Sequence, residues 1–347
     1  MAKPQISFAT FNLRNLQLAG AATYPGVKPL TKAEYDAKIA WVAQMLLKVD
    51  ADVIAFQELW DAAALADAFT AAGLRDEYDL VTSELTGRIN NAMAVRRPHQ
   101  RKFSTWVDRF PDDFVLRKRG GSKGDDPDLE IGVEIDNFSR PVLRVTVQPQ
   151  FAGVADAPAI VVFAAHLKSK LPTRLDSQDR GRPGLTAADR RALGAALSTI
   201  RRTAEAAALR MVINSAMSST AVPVVVMGDV NDGQLSNTVN ILSDRPKYRL
   251  FAASGLGSRS SNGLYLAATM QEHRSLRDVY YTYIFEGIRE SLDHVLVSQH
   301  FYDYSDNRVW SFNEMRVFND HLEDEDEDIH LSDHGVVKAT FDYNPVF

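Results

Sequence analysis

The sequence predicts an α/β protein built as a four-layer α/β/β/α sandwich, two packed mixed sheets flanked by helices. Three observations lead there. Eight short runs rich in Val, Ile, Ala and Phe read as buried strands: residues 6–11, 53–57, 92–95, 143–147, 160–166, 222–228, 293–298 and 336–341. Helical patterns fall between some of them. The order is strand, helix, strand, helix, then mostly strands, then the mixture again, which suits two sheets face to face with helices outside.

Each element has its own justification. The strand at 6–11 begins almost at once, with no apolar stretch and cleavage site before it. The chain is therefore cytoplasmic if Met1 is the native start, or exported if a leader has been removed. The segment 31–49 is predicted helical because Tyr35, Ile39, Val42 and Leu46 share a face behind a Thr31 cap and Glu34. A second helix is expected over 61–72. A long one runs from Thr186 to about Met217, with Leu193, Leu197 and Ile200 as its apolar positions and Asp189 near its start. Loops at 109–128, 151–158, 171–185 and 254–263 are rich in Gly, Pro or charge, and none is long enough to link independent domains. One domain spanning 1–347 is expected.

Composition narrows the chemistry. A chain of 347 residues with 45% hydrophobic residues has ample material for a core. It holds no run of eighteen apolar residues, so no membrane span is expected. With no cysteine, disulfides, thiolate zinc sites and cysteine nucleophiles are all excluded. A net charge of -6 argues against coating nucleic acid non-specifically. That average hides basic stretches: Arg88, Arg96, Arg97, Arg101 and Lys102; then Arg117, Lys118, Arg119 and Lys123; then Lys168, Lys170, Arg174, Arg180, Arg182, Arg190 and Arg191. Against them stand six consecutive acids from Glu323 to Asp328. These read as a solvated loop; a bound Ca²⁺ is the alternative, although the run lacks the spaced turn of a calcium loop.

The informative pattern is positional. Residues able to bind a hard metal or move a proton recur at the ends of the expected strands: Asn12, Glu58, His166, Asp229, Asn231, Asp293 with His294, and Asp333 with His334. Any one of them has a plain reading as a cap, a turn or a core histidine. Together they mark the rim of a crevice where an α/β scaffold holds side chains rigidly. Carboxylate and amide oxygens dominate, which favours Mg²⁺ or Mn²⁺ over zinc. No His-Glu-x-x-His or phosphate-loop motif competes, and Ser258 sits in a turn-like stretch without a serine elbow.

The segments Phe11-Asn12-Leu13-Arg14-Asn15, Gln57-Glu58, His166-Leu167-Lys168-Ser169-Lys170, Gly228-Asp229-Val230-Asn231-Asp232, Leu292-Asp293-His294-Val295 and Ser332-Asp333-His334 resemble, in order, the endonuclease/exonuclease/phosphatase superfamily. The resemblance implies one catalytic domain of deoxyribonuclease I-like fold. It implies metal ligands at Asn12, Glu58 and Asp333, and catalytic roles for His166, Asp229, Asn231, Asp293 and His334. Arg14, Lys168, Lys170 and Asn91 are the expected substrate-binding residues. The His166–Lys170 segment and Tyr281-Thr282-Tyr283 look most like bacterial extracellular-type nucleases. One departure stands out. Deoxyribonuclease I-like members carry a glutamate just before a proline ahead of the first catalytic histidine, whereas this chain has Ser139-Arg140-Pro141. His166 is therefore expected to use Glu134, Asp136 or a backbone carbonyl.

These residues suit water attack on a phosphodiester, with Asp229 positioning and deprotonating the water. The alternative gives that role to His334 with Asp333 behind it. DNA or RNA is the expected substrate, with Trp106, Tyr281 and Tyr283 available for stacking. The alternative substrate is an inositol phosphate, a phospholipid or another small phosphoester, because catalytic residues do not encode the leaving group. Oligomeric state is not legible.

Overall fold

The computed structural model describes residues 3–84, 87–118, 131–154, 156–175, 184–218, 222–249, 254–255, 262–275, 281–285, 287–322 and 330–345. In chain order the elements are β1 (Gln5–Leu16), α1 (Lys32–Val49), β2 (Val53–Leu59), α2 (Ala62–Ala71), β3 (Tyr78–Val81), β4 (Asn90–Arg96), β5 (Gln100–Arg109), β6 (Leu116–Lys118), β7 (Ile131–Val133), β8 (Asn137–Gln148), β9 (Ile160–His166), α3 (Ala187–Ser218), β10 (Val224–Asp229), α4 (Asn237–Ser243), β11 (Tyr265–Leu266), α5 (Ala267–Glu272), β12 (Tyr283–Phe285), β13 (Ile288–Glu290), β14 (Asp293–Val297), β15 (Trp310–Phe318) and β16 (Val336–Tyr343).

Side-chain alternation along the strands sorts the apolar residues into three layers. Even positions of β9 (Ile160, Val162, Ala164) face a central core, while odd positions (Val161, Phe163, Ala165) face outward. β10 does the reverse, with Val225 and Met227 inward and Val224 and Val226 outward. In β1, Ile6 and Phe8 point in, whereas Ala9 and Phe11 point out. Both faces of these strands are therefore apolar, so each sheet must be covered on both sides.

One sheet has the order β15-β16-β1-β2-β4-β3 and the other β11-β14-β10-β9-β8-β5. Each is mixed, with parallel pairs β1–β2 and β9–β10 among antiparallel ones. Helices α1 and α2 cover the outside of the first sheet, through Tyr35, Ile39, Val42, Leu46, Leu65 and Phe69. Helices α3 and α4 cover the second through Leu209, Ile213, Val239 and Leu242. This is the four-layer α/β/β/α sandwich expected from the sequence. Among the described residues no helix is long and apolar enough to cross a membrane.

The caps explain where the first helices start. Thr31 and Glu34 form a reciprocal capping box on α1, and Asp61 accepts the backbone N–H of Ala63 at 2.8 Å to open α2. The long helix lies where expected but turned about its axis. Leu193, Leu197 and Ile200 are exposed, and the early buried positions are Gly194, Ser198, Arg202 and Glu205. The reason is close approach. A Cβ on Gly194 would lie 2.3 Å from the Thr173 carbonyl oxygen, and Ser198 Oγ donates to the Leu171 carbonyl at 2.8 Å. Small and polar residues seat this helix end against the 167–173 backbone, and the leucines are left outside.

A close approach also fixes β10. Gly228 has φ +152°, and a Cβ there would lie 1.8 Å from the backbone oxygen of Ala165. Gly228→Ala must push apart β9 and β10 beside their pairing at His166 and Asp229. It is expected to lower stability by about 3 kcal/mol in urea denaturation. A loss below about 1 kcal/mol would show that the two strands can separate cheaply at this point.

Candidate active site

The same alternation that builds the central core builds the site. At one end of the sandwich the inward-facing positions change from apolar to polar: Thr10 and Asn12 after Phe8, His166 after Ala164, Asp229 after Met227, and Asp293 before Val295. The parallel strands end here and β14 begins here, with Asp229 paired in register to both His166 and Asp293. Glu58 is aimed inward by a register irregularity in the β2–β4 pairing, where its φ is +60°. Arg14 and Asn15 (φ +46° and +56°) lie in a matching irregularity of the β1–β2 pairing, and Asn231 follows β10 with φ +56°. Left-handed non-glycine residues carry strain, and four of them surround one cluster.

Asp229 is the centre of that cluster. Its Oδ2 accepts from Asn12 Nδ2 at 3.2 Å and lies 3.5 Å from His166 Nε2 and 3.9 Å from His334 Nε2. Its Oδ1 accepts the Asn231 backbone N–H at 2.8 Å. His334 is oriented by Asp293, whose Oδ2 lies 2.8 Å from His334 Nδ1. Asp333 does not stand behind His334, contrary to one expectation. It lies 3.8 Å from Arg14 Nε instead. Ser332 fixes this segment by donating to the Asn12 carbonyl and accepting the His334 N–H.

Burial separates the charges. Desolvation pushes the Asp229 carboxyl up to about 7, opposed by His334 and reinforced by Asp293. Burial and the nearby Asp333 carboxylate also raise Glu58. Burial alone would lower His334, but Asp293 and Asp229 outweigh it and hold the imidazole well above its usual range. His166 goes the other way, lowered by burial and then by Arg140, His334 and Lys168.

His166 does not use Glu134 or Asp136. Its Nδ1 is buried without a partner among the described residues, Asp136 pairs with Arg109, and Arg140 donates to the Leu167 carbonyl beside it. The remaining expected substrate-binding residues fall at the same end of the sandwich. Asn91 is fully buried and donates to the Pro141 carbonyl at 2.7 Å, tying β4 to β8. Lys168 Nζ donates to Ser169 Oγ, and Lys170 Nζ pairs with Glu290 at 2.6 Å.

Other expectations change. Arg96 and Arg101 are paired with Asp50 and Asp79, each at 2.6 Å. They lie at the far end from the cluster, since β4 enters near it at Asn90 and leaves at Arg96. Trp106 is partly buried and packs against the central core. Tyr281 lies under the Arg289 guanidinium, whereas the Tyr283 ring is 5.0 Å from His334. Arg119, Lys123, Arg180, Arg182, Ser258 and the acids 323–328, with their possible Ca²⁺, lie outside the described residues.

Sequence reasoning missed Glu205. Fully buried in α3, it accepts the backbone N–H groups of Ser139 and Lys168, both at 2.8 Å, and Arg201 Nε at 3.2 Å. It thereby holds the strand before the site and the loop after His166. A charged residue in a helix otherwise rich in alanine was a visible signal, but the misplaced apolar face hid it. Tyr24 was missed too; it hydrogen-bonds Arg140 and packs edge-on to Trp60 at 5.0 Å.

A divalent cation fits this donor set. Carboxylate oxygens of Asp229 and Asp293 and a ring nitrogen of His334 lie within 4.8 Å of one another; His334, held charged, has no lone pair to give, so the two carboxylates are the donors. Among the described residues Asp293 Oδ1 is buried without a partner, and burial raises the Asp229 carboxyl to about 7. A cation would satisfy the first and replace the proton on the second.

The profile of the Endonuclease/Exonuclease/phosphatase family matches residues 9–334. A comparison with curated proteins finds no match. Among solved structures, truncated TDP2 from Caenorhabditis elegans is similar at 13% identity, covering 97% of each chain with a TM-score of 0.54. The human Nocturnin catalytic domain is similar at 16% identity, covering 99% of this chain and 96% of the other, with a TM-score of 0.52. A Bacteroides thetaiotaomicron endonuclease/exonuclease/phosphatase family protein is similar at 14% identity, covering 99% of both, with a TM-score of 0.54. At these identities the structural likenesses speak to the fold.

The electrostatics give a stability test. The Asp229 carboxyl is raised from 3.8 to about 7, so the stability its proton provides is complete below 3.8 and is lost as pH rises through about 7. At pH 8 in EDTA, Asp229→Asn is expected to be more stable than the parent by about 2 kcal/mol, with the gain vanishing near pH 4. Mg²⁺ or Mn²⁺ should raise the parent's denaturation midpoint at pH 8 and leave that of the variant nearly unmoved. Equal EDTA stabilities at pH 8 would show that the buried charge is already balanced.

Proposed function

The chain belongs to the Endonuclease/Exonuclease/phosphatase family, and we propose that it hydrolyses phosphodiester bonds in DNA or RNA endonucleolytically, with Mg²⁺ or Mn²⁺. The observation that carries this reading is the convergence on Asp229 Oδ2 of an amide, Asn12, and two imidazoles held in opposite charge states. Such a centre supplies a proton acceptor, a proton donor and fixed dipoles around one reacting phosphate.

The geometry supports one role for each of these residues. Asp229, whose carboxyl titrates near neutrality, accepts a proton from the attacking water, and Asn12 with the Asn231 backbone holds both its oxygens in place. His334, charged and fixed by Asp293, faces the phosphate and offsets its negative charge. His166, neutral, presents Nε2 beside Asp229 and Glu58 and hydrogen-bonds the phosphate or leaving oxygen. Asp229 and Asp293, with Glu58, Asp333 and Asn12 nearby, are the residues that would hold the cation; when bound, it neutralises phosphate charge and stabilises the departing oxygen.

A nucleic acid suits the surroundings of the cluster. Arg14, Arg140, Lys168 and Lys170 lie on its rim, and Tyr283 beside His334 continues to the exposed Phe285, their rings 6.4 Å apart and nearly parallel. Bases stack on such rings. The motifs at 166–170 and 281–283 support the likeness to bacterial extracellular-type nucleases.

The test is cleavage of supercoiled plasmid and structured RNA in Mg²⁺, Mn²⁺ or EDTA by the parent, His166→Ala, Asp229→Ala and His334→Ala. Metal-dependent nicking is expected, with each variant slower by about a hundredfold or more. No cleavage of either polymer in any metal would end the nuclease reading.

A further inference from the structure

His166 Nδ1, Gln57 Nε2 and Asn91 Oδ1 are buried and have no hydrogen-bond partner among the described residues. A polar atom left unpaired in the interior costs about 1–3 kcal/mol, so three in one region ask for a reason. The fold brings them to one level. Gln57 on β2 follows the inward-facing Ala55, and Asn91 on the neighbouring β4 precedes the inward-facing Met93. Across the central core β9 packs against both strands, and there His166 follows the inward-facing Ala164. Asn91 Nδ2 donates to the Pro141 carbonyl, and the pairing of Leu143 with Ala164 brings Pro141, two residues away on β8, level with His166.

The donors and acceptors balance. His166 Nε2 faces carboxylate oxygens of Asp229 at 3.5 Å and Glu58 at 3.9 Å, so the one proton of the neutral ring sits there and Nδ1 is an acceptor. The Asn91 amide is oriented by Pro141, whose carbonyl can only accept; its Oδ1 is therefore left as a second acceptor. Gln57 Oε1 accepts from the Thr10 hydroxyl at 2.9 Å, which leaves Nε2 as a donor. A water molecule meets all three: it accepts from Gln57 and gives its two hydrogens to Asn91 and His166. Buried waters make about three hydrogen bonds to groups of this kind.

We propose that Gln57 and Asn91 are positioning residues for His166, binding between them a water that donates to Nδ1 and so fixes the tautomer that presents Nε2–H to the phosphate. The proposal rests on reading the cluster as a phosphoester hydrolase. The two amides then do, without charge, what a carboxylate behind the ring would do with charge: they orient the imidazole, but they leave it neutral. The rival donor is Arg140 Nε, which is also buried and unpartnered among the described residues. Its guanidinium is engaged with the Leu167 carbonyl and with Tyr24.

Long-range proton–nitrogen correlation spectra of protein with isotope-labelled histidine, in EDTA at pH 8, read the tautomer directly. The His166 signals are identified by their loss in His166→Gln. The parent is expected to carry the proton on Nε2, with its Nδ1 resonance displaced upfield by the hydrogen bond it accepts. Gln57→Met and Asn91→Leu, each checked for folding by circular dichroism, should move that resonance downfield and populate the other tautomer. In Mg²⁺ both should lower kcat for bis(4-nitrophenyl) phosphate by about tenfold and leave KM nearly unmoved. An Nδ1 resonance unchanged in both variants, or one that moves only in Arg140→Met, overturns the proposal. The spectra need no turnover, so the two readings fail separately: if the parent does not hydrolyse the ester yet both variants shift Nδ1, the amides position His166 and the hydrolase reading falls.

Discussion

A buried carboxylate sits where the apolar layer between two sheets runs out, and the rest of the site is arranged around the cost of keeping it there. Asp229 is 1% exposed. An isolated charge at such a position would cost several kcal/mol. Its neighbours come from segments far apart in the chain: Asn12 from β1, His166 from β9, Asn231 from the turn after β10 and His334 from the approach to β16. None of these partners is local to β10 except Asn231. The cluster can form only when both sheets have closed on each other, so assembling the sandwich and assembling the site are one event.

Behind the cluster stands a second buried carboxylate with a different task. Glu205 touches none of the reacting groups; it takes the backbone N–H groups of Ser139 and Lys168 and so pins the start of β8 to the loop after His166. Arg202, one turn earlier on α3, reaches the Lys168 carbonyl and Asp232. Asp232 in turn holds Thr238 at 2.6 Å, and its carbonyl meets His294 Nε2 at 2.9 Å. Helix α3 thus fixes the loops after β9 and β10 together. This accounts for its polar inner face near the site, and for the change to Leu209 and Ile213 once it moves over the sheet.

The strands of the central core were legible because both of their faces are apolar, which leaves continuous runs such as 160–165 and 224–227. The strands that escaped are mostly edges or short hairpins. In β5 only the middle positions are sheltered, and β15 alternates Trp310, Phe312 and Met315 with Ser, Asn, Glu and Arg. An edge strand buries little, so its sequence says little. The site residues were legible for the opposite reason: a histidine or carboxylate closing an apolar run contradicts the run. What composition could not convey was pairing. That Asp293 and not Asp333 holds His334, and that Arg96 and Arg101 face away from the cluster, depends on strand direction and register.

The exchange of a glutamate for Arg140 acquires its meaning from the two imidazoles. Both present Nε2 to the same oxygen of Asp229, at 3.5 and 3.9 Å. His334 has a carboxylate at its other nitrogen and is held charged. Among the described residues His166 has no partner at its other nitrogen; Arg140 and Lys168 are its cationic neighbours, and it is held neutral. A neutral imidazole carries one proton, and the carboxylates of Asp229 and Glu58 beside Nε2 draw it to that side. Were a glutamate behind His166, both rings would be charged against one carboxylate. With Arg140 there instead, the two histidines divide between a fixed positive charge and a neutral hydrogen-bond donor, and a single buried aspartate can serve both.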